Sequence, residues 1–495
     1  MNYNLVVENS SETISNEIRI SHEPWYRKNV YKWISYDLGN TIYSMVVVSL
    51  VFLPLLQILY FERDGDGDSA INSANFAFST VLLIGNLILA SISPFLGAYA
   101  DQLKRRNGLL IRISMLCITF MAALVISAFT KSIIVILLIF FFANMFYQLG
   151  LIVYDSMLPF ITDRDKVATV SGTGVAIGYF GSFIGIGLGF ALAPIFGDFV
   201  IKPSEGVFEL GYIPYMFPVG ALLFLLFALP IVTLKEKDRE MLPKKNDELF
   251  EEVKNNAIDT AKEIFNYRSM FVFLIGWLIY VDAANTVIAY MTPIVQIGLE
   301  FGDSGPVLIV LGIGIIGAVA FTYPVGKYID KNGPKKGLTL ITIFWITALI
   351  IAFFTNLELA NGTNTPEWLV YIFPVLVGPA LGGGWVVQRQ YVTELSPPSK
   401  VGNYFGFANI FGRISAAIGP FIWATTILGL NQGAGFSIEM ATRMGLVFIG
   451  SIMLIGYFII MRVDDVHEIY LKGGRAKGDG TWVDDNNVVI YESKM

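Results

Sequence analysis

Twelve long apolar runs dominate this 495-residue chain and leave it few ways to fold. A helix that crosses a bilayer needs about 20 mostly apolar residues. Runs of that kind lie near 35–60, 73–100, 109–129, 132–157, 168–195 and 212–233. A second set lies near 269–298, 304–328, 336–355, 367–394, 402–428 and 441–462. Only 15% of the residues are charged, against about a quarter in a soluble domain. So much apolar surface must meet lipid, and the expected class is an all-α membrane protein of twelve transmembrane helices.

Loop charges orient the helices, because Lys and Arg stay on the cytoplasmic side. Arg27, Lys28 and Lys32 precede the first span; Lys104, Arg105 and Arg106 follow the second; Lys331, Lys335 and Lys336 follow the eighth. Arg63, Lys131, Lys202 and Arg443 are left for the opposite side. Both termini are therefore expected to be cytoplasmic. The polar start carries no basic stretch followed by an apolar one, so no cleavable leader is expected and the first span directs insertion.

The expected organisation is a cytoplasmic tail (1–34), a six-helix bundle (35–234), a charged linker (235–268), a second bundle (269–462) and a cytoplasmic tail (463–495). Within the linker, Leu249, Phe250, Val253, Ala257, Ala261, Ile264 and Phe265 recur at helical spacing. That pattern predicts a helix lying on the membrane surface. The final tail, polar and rich in Gly and Asp, is expected to be poorly ordered.

The two bundles repeat one another. Asp37-Leu38-Gly39-Asn40-Thr41 in the first span matches Asp282-Ala283-Ala284-Asn285-Thr286 in the seventh. Gly97-Ala98-Tyr99-Ala100-Asp101 matches Gly326-Lys327-Tyr328-Ile329-Asp330, each followed by basic residues. Lys166-Val167-Ala168 with Gly172 matches Lys400-Val401-Gly402 with Gly406. Three matches in one order describe a parallel six-helix repeat, an architecture that holds solute between its halves at the midplane. Gly181, Gly185 and Gly189 in the fifth span, and Gly312, Gly314 and Gly317 in the eighth, allow close helix approach.

Tyr36-Asp37-Leu38-Gly39-Asn40, Val170-Ser171-Gly172 with Gly174, Gly178 and Tyr179, and the block Gly382-Gly383, Arg389, Leu395, Pro397, Phe405-Gly406, Gly412 and Gly419-Pro420 resemble one group of the major facilitator superfamily. This is the group of fungal vacuolar amino-acid effluxers linked to autophagy and related prokaryotic permeases. Leu38 and Gly39 replace its usual Trp and Ala, Trp385 an expected Gln, and Asp155 an expected Asn. The resemblance implies solute transport by a chain whose first, fourth, seventh and tenth spans line a central cavity.

Ionisable groups inside a membrane are costly, by about 2.5–3.5 kcal/mol, and so mark function. Asp37 and Asp282 either carry a coupling proton, bind a cationic group of the cargo, or act as structural partners. Asn40, Thr41, Asn285, Thr286 and Gln148 offer hydrogen bonds, and Trp385 an aromatic wall. Arg389 pairs with Asp155, its repeat mate, as a cytoplasmic gate with Asp101 and Asp330, or else binds a substrate carboxylate. Arg413 either binds such a carboxylate or pairs with Asp37.

The remaining residues exclude other classes. Cys117 is the one cysteine, so neither a disulfide nor a cysteine metal site is available. His22 and His467 lie in polar tails, away from any intramembrane relay. Gly312-Ile313-Gly314-Ile315-Ile316-Gly317 sits in an apolar span with no strand before it, which argues against dinucleotide binding. No phosphate-binding loop occurs, and no cofactor or metal is expected. Asp64-Gly65-Asp66-Gly67-Asp68 lacks the glycine and bidentate glutamate of a calcium loop. Asn361-Gly362-Thr363 is a glycosylation sequon. The expected protein is a monomeric, non-enzymatic secondary transporter of a small polar solute, an amino acid for instance, coupled to protons. It has no nucleic-acid partner and resides in a plasma membrane, or a vacuolar one in a eukaryote. The rival reading is a non-transporting membrane receptor of the same fold.

Overall fold

A computed structural model describes residues 26–493, apart from 104, 203–206, 237–245, 292–293, 302–303 and 360–361. His22, Lys104 and Asn361 lie outside the described residues.

The chain is helical almost throughout. In the first half, α1 spans Tyr26–Asp64, α3 Asn107–Ala128, α4 Ile133–Phe160 and α6 Ile213–Thr233. Between them lie α2 (Gly67–Asp101) and α5 (Val167–Phe196). The linker forms α7 (Asn246–Asn266). Then come α8 (Arg268–Ala289), α9 (Ser304–Asn332), α10 (Pro334–Phe354), α11 (Phe373–Leu395), α12 (Val401–Leu428) and α13 (Ile438–Ile460). Among the described residues, eleven helices are long and apolar enough to cross a membrane. They match the expected spans in order, and α12, at 28 residues, stands where the eleventh is expected. The molecule is a multi-pass integral membrane protein.

The internal repeat reappears in the packing. In the first half α1 packs on α6, α2 on α4, and α3 on both α4 and α6. In the second, α8 packs on α13, α9 on α11, and α10 on both α11 and α13. These are the same four pairings, displaced by the intervening α7. Similar apolar and small-residue patterns have produced similar neighbours. The contacts divide the chain into two compact units. One holds Pro24–Ile161 and Ile177–Leu242; the other holds Thr162–Ala176 with Pro243–Met495. The division falls inside α5, whose first residues pack with the second unit.

Two surface expectations need correction. The apolar stripe of α7 is covered by protein: Val253, Ala257 and Ile264 are buried. Thr260, on the same side, bonds Asn403 of α12 at 2.9 Å, and Glu263 pairs with Lys400. Phe265 and Ile258 remain exposed. The tail after α13 is built rather than loose. A short helix α14 (His467–Leu471) leads into a sheet of β3 (Arg475–Ala476), β4 (Thr481–Val483) and β5 (Val489–Glu492), antiparallel in the order β3-β4-β5. A smaller antiparallel pair, β1 (Val200–Lys202) with β2 (Val207–Glu209), joins α5 to α6. Trp482 is fully buried and meets Tyr267 edge-on at 5.9 Å. One large aromatic and glycine turns at Gly473, Gly478 and Gly480, all with positive φ, suffice to seat this polar segment.

Candidate functional site

The repeat-related aspartates occupy similar settings. Thr41 Oγ1 donates to the Asp37 main-chain carbonyl at 2.9 Å, and Thr286 Oγ1 to that of Asp282 at 2.8 Å. Each carboxylate then lies against a glycine. A Cβ at Gly178 of α5 would come within 3.0 Å of Asp37 Oδ2 and 3.1 Å of Thr41 Oγ1. A Cβ at Gly419 of α12 would come within 2.8 Å of Asp282 Oδ1 and 2.3 Å of Thr286 Oγ1. Both aspartates are buried. Ser415 Oγ reaches Asp282 Oδ1 at 3.5 Å, and among the described residues no cation pairs with Asp282.

Around Asp37 the first unit holds a polar and aromatic cluster. Asn40 is buried on α1, and Asn144 on α4. Tyr43 of α1 stacks on Tyr147 of α4 at 4.6 Å, and Tyr36 on Tyr154 at 5.1 Å. Asn40 Oδ1, Tyr43 Oη and Asn144 Oδ1 have no hydrogen-bond partner among the described residues. Buried polar atoms are rarely left so, and such a cluster suits a polar ligand. A stretch of π-helix at Ser44–Val51 follows directly, a feature that often accompanies functional sites.

In the second unit, Trp385 of α11 is 43% exposed. With Asn285, Trp277, Tyr280 and Trp345 it borders a shallow depression among α8, α10 and α11. Gln148 on α4 and Arg413 on α12 are half-buried.

The residues expected to form a gate have diverse partners. Arg389 is buried, and its Nη1 donates to Ser171 Oγ of α5 at 3.2 Å. Asp155 is half-buried and belongs to the other unit. Asp330 accepts from the main-chain N–H groups of Ala168 at 2.8 Å and Thr169 at 2.7 Å, capping the start of α5. Glycines make that approach possible. A Cβ at Gly326 would lie 2.5 Å from the Ala168 carbonyl oxygen, and one at Gly172 would lie 2.8 Å from that of Thr322. Asp101, the repeat mate of Asp330, accepts from Arg106 Nη2 at 2.5 Å.

Four ionisable groups have roles that the sequence alone does not reveal. Arg106 looks like a surface topology signal but is fully buried, with its guanidinium over Phe160 at 4.4 Å. Glu236 accepts from the Arg106 and Asn107 main-chain N–H groups and so caps α3. Arg443 looks like a flanking charge, yet it is buried and donates to the carbonyls of Phe353, Thr355 and Asn356. His467 looks like a tail residue but is buried against Glu394 at 2.6 Å and the Asp330 carbonyl at 3.0 Å. Its i+3 and i+4 neighbours, Tyr470 and Leu471, are the one local hint of a helix there.

Known proteins agree with this architecture. A sequence model of the Major Facilitator Superfamily matches residues 174–420 and 272–484. An uncharacterised transporter of that superfamily, YxiO of Bacillus subtilis, is 26% identical over 434 residues, covering 86% of this chain and 94% of its own. Autophagy-related protein 22 of Vanderwaltozyma polyspora is 23% identical over 460 residues, covering 80% and 85%. Among solved structures, the proton:xylose symporter XylE superposes with a TM-score of 0.64 at 15% identity, over 89% of this chain and 97% of that one. The human organic anion transporter MFSD10 superposes with a TM-score of 0.58 at 13% identity, over 88% and 100%. The chain belongs to the Major Facilitator Superfamily. It is a membrane transporter of a small-molecule solute, and not an enzyme.

Proposed function

We propose that this protein is a proton-coupled secondary transporter of a small polar solute, an amino acid, working by alternating access between two six-helix halves. In this reading α12 completes twelve spans, both termini face the cytoplasm, and the protein acts as a monomer in the cell membrane, or in a vacuolar membrane if its host is eukaryotic. The halves run 35–234 and 269–462.

The observation that carries the proposal is Asp282. It is a buried carboxylate on the helix expected to line the cavity, faced by a serine hydroxyl and packed against a glycine. A charge so placed is expensive, and taking up a proton relieves the cost. Asp37 holds the equivalent place in the first half. Asn40, Tyr43 and Asn144 supply donors and acceptors to the solute, as do Thr41, Asn285, Thr286 and Gln148. Trp385 and its aromatic neighbours supply an apolar wall, and Arg413 a positive charge for a carboxylate. The amino-acid assignment is supported by the similarity to autophagy-related protein 22. On the repeat register, Asp155 and Arg389 form the cytoplasmic gate, with Asp101 and Asp330 setting the helix ends beside it.

Purified protein in liposomes, given a proton gradient and an amino-acid panel, tests this reading. Uptake that depends on the gradient and disappears in Asp282→Asn is expected. Flux indifferent to the gradient would remove the coupling, and no flux for any solute would favour a receptor. For the gate, uptake lost in Asp155→Arg or Arg389→Asp should return in the double exchange.

A further inference from the structure

The segment after α13 is attached at three places, and two of them fall beside the start of α5. From α14, His467 Nδ1 meets Glu394 Oε1 of α11 at 2.6 Å, while Nε2 meets the main-chain carbonyl of Asp330 on α9 at 3.0 Å. Glu394 is held in place by Gln390 Nε2 at 2.7 Å. The Asp330 carboxylate in turn caps α5 at Ala168 and Thr169. One residue thus grips α11 and α9 at the point where α9 grips α5.

The second attachment reaches the chain just before α5. Arg164 Nη1 donates to the carbonyls of Tyr470 at 3.0 Å and Gly474 at 2.7 Å, and its guanidinium lies over the Tyr470 ring at 5.0 Å. Arginine is suited to this work, since its planar fork serves two acceptors and an aromatic face together. The third attachment is the turn at Gly478, which seats against α7 and α12. A Cβ at Gly478 would lie 2.9 Å from Tyr404 Oη and 3.4 Å from Glu263 Oε2.

This third seat is shaped for contact but poor in bonds. Glu263 Oε2, Tyr404 Oη, Tyr267 Oη and Trp482 Nε1 are all buried there with no hydrogen-bond partner among the described residues. Each such group is costly while it stays dry. Lifting the sheet would return four of them to water. These dry groups offset part of the apolar burial around Trp482, so the segment depends on its specific polar pins, as a catch does.

We propose that the segment 463–493 is a latch. Closed, it holds the start of α5 against α9 and α11; released, it frees the start of α5 to part from those helices, so that this end of the protein opens. The inference rests on the alternating-access reading, because a latch matters only where the halves separate. His467 and Arg164 are its pins.

The test uses the full chain with Cys117 replaced by Ala. Spin labels are placed at Arg105→Cys and Lys336→Cys, both exposed. Distance distributions are measured by pulsed electron resonance in liposomes. Arg164→Gln, His467→Gln and the double variant should each shift population toward the longer distance, the double variant by severalfold. Arg164 lies in a short turn ahead of α5, so its variant keeps the measurement available should changes at His467 impair folding. Distributions identical to wild type in folded Arg164→Gln protein would overturn the latch. A distance shift in a protein that moves no solute would leave the latch standing and sink the transport reading. Transport with unshifted distances would do the reverse.

Discussion

Asp282 and Gly419 are fitted to each other: no side chain could replace the glycine hydrogen without entering the space of the carboxylate, 2.8 Å away, and of Thr286 Oγ1, 2.3 Å away. The carboxylate is thereby held between α8 and α12, and the glycine serves the acid as well as the packing. Gly419→Ala should therefore act on function more than its size suggests. Overpacking of this kind costs about 1–3 kcal/mol. The expected result is folded protein with a lowered melting temperature and impaired gradient-driven uptake. Asp282→Asn should keep the melting temperature near wild type and lose the uptake altogether. Full gradient-driven uptake in Asp282→Asn would remove Asp282 from the mechanism.

The cap that Asp330 places on α5 predicts a local effect. A capping side chain is worth about 0.5–2 kcal/mol. Asp330→Ala should free the N–H groups of Ala168 and Thr169 and raise hydrogen exchange across the first turn of α5. Asp330→Asn keeps an acceptor and should recover part of the protection. Exchange should stay unchanged in α6, which belongs to the other compact unit. Uniform loss of protection throughout would mean that Asp330 supports the whole fold instead.

Arg443 predicts a stability effect with no bearing on selectivity. It satisfies the carbonyls of Phe353, Thr355 and Asn356 at the end of α10, and lies 3.4 Å from Glu300. Removing it leaves several buried acceptors unpaired, at about 1–3 kcal/mol for each group. Arg443→Ala should lower the melting temperature in detergent by several degrees. Arg443→Lys retains the charge but not the fork and should fall between. Solute affinity of the protein that remains folded should be unaltered, as read by uptake at several concentrations.

Hydropathy and the repeat made the helices, their order and the paired aspartates legible. Those signals are long or doubled, and lipid imposes them strictly. Arg106, Arg443 and His467 were not legible for a common reason. Each lies at a helix end or in a polar stretch, where charge normally means exposure. Their burial depends on partners distant in the chain: Glu236 for Arg106, the end of α10 for Arg443, and Glu394 for His467. The C-terminal sheet was hidden likewise, because strands of two to four residues carry too few positions for an alternating pattern. The apolar stripe of α7 does not tell protein from lipid, since periodicity shows that a face is covered and not by what.

The last prediction concerns the pH range over which the C-terminal segment stays closed. Burial pushes the His467 imidazole down, but its bond to Glu394 and the charge of that residue push it up by more, aided by the Asp330 carbonyl and by Asp465; the net pKa stands above the ordinary histidine value. Other charged groups near the segment are Lys335, bonded to the Val463 carbonyl, and Arg164, bonded to Tyr470 and Gly474. A raised pKa means that the folded arrangement binds the proton more tightly than the released segment does. The stabilisation is then complete below about pH 6.5, the value for a free histidine, and is lost as pH rises through the higher folded value. Hydrogen exchange of residues 475–492, corrected for its intrinsic pH dependence, should therefore be slow in mild acid and quicken on alkalisation, by at most about tenfold per pH unit. His467→Gln should remove this step and leave the segment loose at every pH. A step that persists in His467→Gln would assign the titration to another group.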